Sequence, residues 1–161
     1  MKENYRPVSL LSVSGMVLEK VVAIQMESYF ETNGLLGTFQ FSFRLKKSTI
    51  SELLQLFDTI MAAKDKRQEI MLVLYFLSAA FDTVSHDTLL KKLQIYGFQP
   101  HTLKWMSSYL EERNQSVIVN GKISKFQDVN IGTLQGSRLS PLAFICLMAD
   151  LDLHVSEKSV H

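Results

Sequence analysis

Cysteine is nearly missing from this sequence: Cys146 is the single one among 161 residues. One thiol cannot close an internal disulfide, and neither it nor the scattered histidines His86, His101, His154 and His161 falls into a zinc-ligand spacing. A disulfide-stapled secreted domain and a zinc module are excluded, and an intracellular setting, cytoplasmic or nuclear, is expected. Long apolar runs are also missing. The longest hold eight residues, as in Ile70–Leu77, far short of the ~20 a membrane helix needs. The start, "MKENYRPVSLLSV", places Glu3, Arg6 and Pro7 before a short apolar patch and makes a poor signal peptide, so no membrane partner is expected. Nor does either charge dominate: 17 basic against 16 acidic residues leave +1, which neither demands nor forbids a nucleic-acid partner. P-loop and nucleophile-elbow strings, low-complexity segments, linkers and repeats are absent.

What is present fits one globular domain. Hydrophobic residues make up 47% and charged residues 20%, enough apolar content for a core at this length. Val17, Leu18, Val21 and Val22 recur at helical spacing before a stop at Asn33-Gly34. Thr49 and Glu52 have capping-box spacing ahead of an apolar stripe from Ile50 through Leu53, Leu54, Phe57 and Ile60 to Met61, ended by Lys64–Arg67. Ile70–Leu77 then reads as a fully buried strand with Phe76 as a core aromatic. Ser85 can cap a helix with the face Leu89, Leu90, Leu93 and Tyr96, stopped by Gly97, and Pro100 can start another carrying Leu103, Trp105, Met106, Tyr109 and Leu110. Asn120-Gly121 predicts a type I′ hairpin turn. A glycine-containing loop, "GTLQG", leads into an apolar helix. The fold class expected is α+β, a small, mainly antiparallel sheet with packed helices. The strand around Leu72–Phe76 is expected beside the hairpin, with helices 86–96 and 139–150 on one face.

Four stretches, in order, carry a resemblance: "NYRPVSLL" with "VLEK"; "FQFSFRLKKST"; "FLSAAFDTVSHDTLLKKL" with "WMSSYLEERNQSVIVNG"; and "GTLQGSRLSPLAF". Together they resemble the reverse transcriptase of non-LTR (LINE-type) retrotransposons, over residues 4 to about 153. The resemblance implies a right-hand polymerase fold, with about 1–68 in the fingers and about 69–161 in the palm. It also implies RNA-directed DNA synthesis with two Mg²⁺ ions held by palm carboxylates.

Residue by residue, the resemblance is incomplete at the metal. One family carboxylate lies five residues before the aromatic of "SAAFD", and here that position is Phe76, whose ring has no lone pair for a cation. "MADLD", Met148–Asp152, stands too soon after Gln135 to be the metal hairpin, and the chain reaches His161 before that hairpin and the thumb would begin. No catalytic and no metal-ligating residue is therefore expected, no cofactor either, and the chain is expected to be a truncated, inactive polymerase domain. Asp82 is expected to start the next helix rather than replace the missing ligand. Phe76→Asp is expected to lower stability by placing a charge in packed apolar surroundings.

Other positions match better. Phe81 matches the aromatic that excludes a ribose 2′-oxygen, with Ala79 and Ala80 small beside it. Gln135 matches a glutamine over the incoming nucleotide, while Gly136 and the turn Ser140-Pro141 match template and primer contacts. Arg6 and Arg44 match finger arginines near phosphate, for which the guanidinium fork is suited. Leu134 and Ser42 depart from the family's Pro and Gly. Phe81 and Gln135 are expected to face one cleft with Arg6 or Arg44 on its rim. The alternatives are a non-catalytic module that keeps an RNA or DNA template-primer groove, and an inert remnant that associates through exposed palm surface.

Overall fold

The computed structural model describes residues 8–151. In chain order the elements are α1 (Val13–Thr32), α2 (Thr49–Asp65), α3 (His86–Ile95), α4 (Pro100–Leu110), β1 (Arg113–Gln115), β2 (Ile118–Val119), β3 (Lys122–Ile123), β4 (Gln127–Val129) and α5 (Leu139–Met148). Mixed helix and short antiparallel strands agree with the α+β expectation. Helix α5 packs on α1 and α3, and α3 packs on α4. The core lies between them, with Ala23, Met26 and Phe30 meeting Leu89, Leu93, Met106, Leu110, Leu142 and Ile145.

Local chemistry explains most boundaries. Ser85 caps α3 by accepting from the Thr88 amide, and Pro100 opens α4. Leu89 and Leu93, four apart on one face, are fully buried, and Gly97 at φ +85° ends that helix. Asn120 and Gly121 both have positive φ, 49° and 76°, as a type I′ turn requires. The turn sets the register Val119↔Lys122, and β1 pairs with β4 further out.

Four expectations are corrected. The cap of α2 is Ser48, in a reciprocal box with Ser51 rather than between Thr49 and Glu52. The apolar stripe of α2 covers nothing: no residue of that helix is buried. The buried face of α1 is Glu19, Ala23, Met26 and Phe30, while Val17, Leu18 and Val21 face outward. This helix is apolar on several sides, so spacing alone does not select its inner face. Lastly, Ile70–Leu77 is neither strand nor buried; Phe76 is 86% exposed. A central strand needs neighbours bonding its edges and layers covering its faces. The four described strands form two separate two-stranded ribbons, β1-β4 and β2-β3, with no place for this run. It does not lie in a sheet with the hairpin, so there is no such sheet face for α3 and α5 to share; the two helices pack on each other instead.

Candidate functional site

The loop Gly132–Arg138, between β4 and α5, is where distant segments meet. Its first residues dock on the turn before α3. The Gly132 amide donates to Val84 O (2.8 Å), the Thr133 amide to Phe81 O (2.7 Å), and His86 Nε2 bonds Gly132 O (2.7 Å). Gly132 has φ +89°, and a Cβ there would lie 2.7 Å from Asp82 O, so this docking admits only glycine. The turn is tight: the Asp82 and Thr83 amides both donate to Ala79 O, with Ala79 itself at φ 51°. Asp82 therefore belongs to this turn and does not start α3, which begins four residues later behind its Ser85 cap.

Gln135 is held at both ends. Its carbonyl accepts from the Ser9 amide (2.8 Å), and its side-chain Nε2 donates to both Asp82 carboxylate oxygens (3.0 and 3.2 Å). A carboxylate only accepts, so the amide turns its NH2 toward Asp82 and leaves Oε1 on the other side. Gly136 follows at φ +105°, and its close neighbour is Ser9, whose carbonyl would lie 3.4 Å from an added Cβ. Ser140 and Pro141 lie in the first turn of α5 rather than in a projecting turn; Ser140 is buried and donates its hydroxyl to Leu134 O (2.7 Å). That bond closes the loop from within.

Beneath the loop sits a charged group that sequence reasoning missed. Glu19 is 4% exposed, and its carboxylate accepts from Tyr109 Oη (2.5 Å), Ser137 Oγ (2.9 Å) and the Arg138 amide (3.0 Å). Tyr109 stacks on Trp105 and carries the Arg113 guanidinium over its ring at 4.1 Å. Burial, and then the hydrogen bond to Glu19, push the Tyr109 hydroxyl up to about 12. The available signal was a glutamate in line with Ala23 and Met26, four and seven residues on, along a helical face.

Phe81 is half-buried between Phe43 (centroids 6.4 Å apart, edge-on) and Phe144 (5.3 Å). Its ring is thus turned partly onto α5. A shallow cavity of about 370 Å³ opens beside this turn, with Phe76, Ala80, Thr83, Phe144 and Met148 among its walls. Phe81 and Gln135 share the docked turn and loop through Asp82 and Thr133, but that cavity is walled by Ala80 and Phe76 instead. Arg44 is engaged within its own segment and by α1. Its Nε and Nη2 pair with Glu31 (2.8 and 2.6 Å), and Nη1 donates to Gly37 O and Gln40 O. That pairing holds the Glu31 carboxyl below its ordinary value. Arg6 and Asp152 lie outside the described residues.

Among the described residues, those present do not fit a two-metal centre. Phe76 stands where the resemblance places a carboxylate, Asp82 is engaged by Gln135, and Asp150 is paired with Lys92. Among the described residues no three acidic, histidine or cysteine side chains gather in a metal-binding group. No helix among them is long and apolar enough to cross a membrane.

The docked turn and loop come from two of the four motif strings, and comparison with known proteins agrees with the motifs. The family described as Reverse transcriptase (RNA-dependent DNA polymerase) matches residues 1–161. The chain belongs to that family. It is 33% identical over 149 residues to the "Probable RNA-directed DNA polymerase from transposon BS" of Drosophila melanogaster, covering 92% of this chain and 16% of the relative. Likewise it is 29% identical over 152 residues to the "RNA-directed DNA polymerase from mobile element jockey" of the same species, covering 94% and 16%. A "Retrovirus-related Pol polyprotein from type-1 retrotransposable element R2" of Popillia japonica is 26% identical over 149 residues, covering 92% and 20%. The chain thus spans about a sixth of the length of the first two relatives.

Proposed function

We propose that this chain is the fingers-and-palm part of a retrotransposon reverse transcriptase domain that keeps a nucleotide- and template-facing surface but does not itself catalyse polymerisation. One observation supports the reading above others: strings separated by more than a hundred residues converge on the Gly132–Arg138 loop, with Ser9 and Glu19 from the first string and Phe81, Asp82 and Val84 from the third. In this reading the fingers run to about residue 68 and the palm from about residue 69. Phe81, Ala79 and Ala80 flank the nucleotide, Gln135 meets it, and Gly136 with Ser140 and Pro141 at the start of α5 borders template and primer. Arg44 would reach a phosphate only by exchanging Glu31 for it, and Arg6 would act from the N-terminal string.

Catalytic silence follows from position 76. Metal stabilisation of phosphoryl transfer is worth several kcal/mol, and each ~1.4 kcal/mol is a factor of ten in rate. Loss of a ligand therefore suppresses turnover by about a thousandfold or more. The test pairs two measurements on the 161-residue chain. Binding to a labelled RNA–DNA primer-template should weaken as salt rises, and primer extension with Mg²⁺ or Mn²⁺ should stay at background. Templated extension above background would overturn the silent reading; salt-independent or absent binding would overturn the nucleic-acid reading.

A second reading rests on a different observation. Apolar side chains of α2 and of Ile70–Leu77 are exposed, among them Leu54, Phe57, Leu74 and Phe76. Surfaces of this kind drive association, so the same chain is proposed to self-associate at rising concentration.

A further inference from the structure

Glu19 lies outside the proposed nucleotide surface, yet it is buried and bonded directly to the end of the loop that carries Gln135 and Gly136. We propose that Glu19 is the positioning residue of the Gln135–Gly136 loop, locking that loop to α1 and α4 from below. This rests on the reading above only for the loop's purpose, not for the lock itself.

The lock is built from three elements. Glu19 projects from the buried face of α1, Tyr109 from α4, and Ser137 and Arg138 from the entry to α5. A buried carboxylate is costly unless its lone pairs are filled. Here Oε1 takes the Tyr109 hydroxyl, and Oε2 takes both the Ser137 hydroxyl and the Arg138 amide. The contact set contains no Lys or Arg side chain. What compensates the charge is the N-terminal end of α5, whose cap residue is Arg138 and whose free amides carry partial positive charge. Neither Arg138 nor Leu139 has a side-chain cap of the usual kind. Glu19 serves the first amide, and Ser137 Oγ, itself bonded to Glu19, serves the second at 3.1 Å. A residue 119 positions upstream therefore does the work of an N-cap.

The consequence falls on Gln135 and Gly136. They lie between the Thr133–Phe81 bond on one side and the Ser137–Arg138 anchor on the other. Without the Glu19 anchor, the Thr133–Phe81, Ser9–Gln135 and Gln135–Asp82 bonds still hold the loop up to Gln135, and the left-handed Gly136 (φ +105°) becomes the hinge beyond them. Hydrogen bonds to charged groups are the stronger ones, so removing the Glu19 anchor frees the segment from Ser137 to Leu139 on the far side of that hinge.

Glu19→Gln keeps size and shape but turns one acceptor into a donor facing groups that already donate. Tyr109→Phe is the milder second variant, removing one donor while keeping the ring that stacks on Trp105. Amide exchange is measured on the full chain without nucleic acid, following Ser137, Arg138 and Leu139 against Leu89–Leu93 of α3. Protection of these three amides, at the loop's end and the start of α5, should fall about tenfold or more in Glu19→Gln and less in Tyr109→Phe, with α3 unchanged. An equal loss throughout, or none at the loop in either variant, overturns the proposal; if Glu19→Gln does not fold, Tyr109→Phe decides by the same criterion. A separate arm measures affinity for the labelled primer-template. Local loosening with no binding by either wild-type or variant would leave the lock standing and remove only the nucleic-acid reading.

Discussion

Gly132 sits where the backbone of the "SAAFD" turn and that of the glutamine loop touch. Its φ of +89° is one cost for any other residue, and the 2.7 Å approach of Asp82 O is a second. Gly132→Ala should lose about 2–4 kcal/mol in denaturant unfolding. Gly121→Ala, equally left-handed but with open space around it, should lose only about 1 kcal/mol. Equal losses would show that contact with Asp82 carries no weight. Tyr109 offers a pH test. Its folded value of about 12 lies above the ordinary 10.0, so the folded state favours the neutral hydroxyl. The stability this contributes is complete below about pH 10 and is lost as pH climbs toward 12. A tyrosinate absorbance titration should contain a late step near pH 12 that Tyr109→Phe removes. Tyr96 is shifted in the same direction by burial, so a second late step should survive that substitution.

At the scale of elements, α2 behaves unlike the other helices. It is well capped by the Ser48–Ser51 box, yet it buries no residue. Its helicity thus depends on local terms, which for a cap amount to about 1 kcal/mol, rather than on packing. Ser48→Ala should raise amide exchange throughout α2 while leaving the main unfolding transition in place. Phe57→Lys on its exposed stripe should leave stability within about 0.5 kcal/mol and reduce concentration-dependent light scattering. A large stability loss in Phe57→Lys would mean that the helix packs against something in solution. The same reasoning reverses an expectation for position 76. Because Phe76 is exposed rather than packed, Phe76→Asp should leave the melting temperature unchanged instead of lowering it. Primer extension by that variant should remain at background, since one restored carboxylate cannot hold two divalent ions.

For the whole molecule, the helices α1, α3, α4 and α5 form the closed part, while α2 and Ile70–Leu77 present apolar surface. The loop Gly132–Arg138 belongs to the closed part, fixed by Phe81 and Val84 above and Glu19 below. Heating should therefore melt α1, α3, α4, α5 and the loop in one cooperative step, with α2 lost earlier. Far-UV ellipticity falling before the near-UV signal of Trp105 and Tyr109 would be the expected order; coincident loss would place α2 inside the cooperative unit.

The residues alone determined what depends on short range. Ser85, Pro100, Gly97 and Asn120-Gly121 set helix and turn boundaries because caps and positive φ are local properties. The inner faces of α3 and α4 were legible because each has a single apolar side. The motif strings were legible as well, and with them the family. Tertiary structure decided everything that needs a partner. Ile70–Leu77 has the composition of a buried strand, but burial is a property of neighbours, and none of the described strands pairs with it. Spacing puts Glu19 in line with Ala23 and Met26 but does not choose that face over the one carrying Val17 and Val21; donors on Tyr109, Ser137 and Arg138 make the choice. Arg44 and Asp82 likewise received their roles from Glu31 and Gln135. A charged side chain's function is fixed by which polar group the fold brings within hydrogen-bond reach, and sequence distance does not encode that.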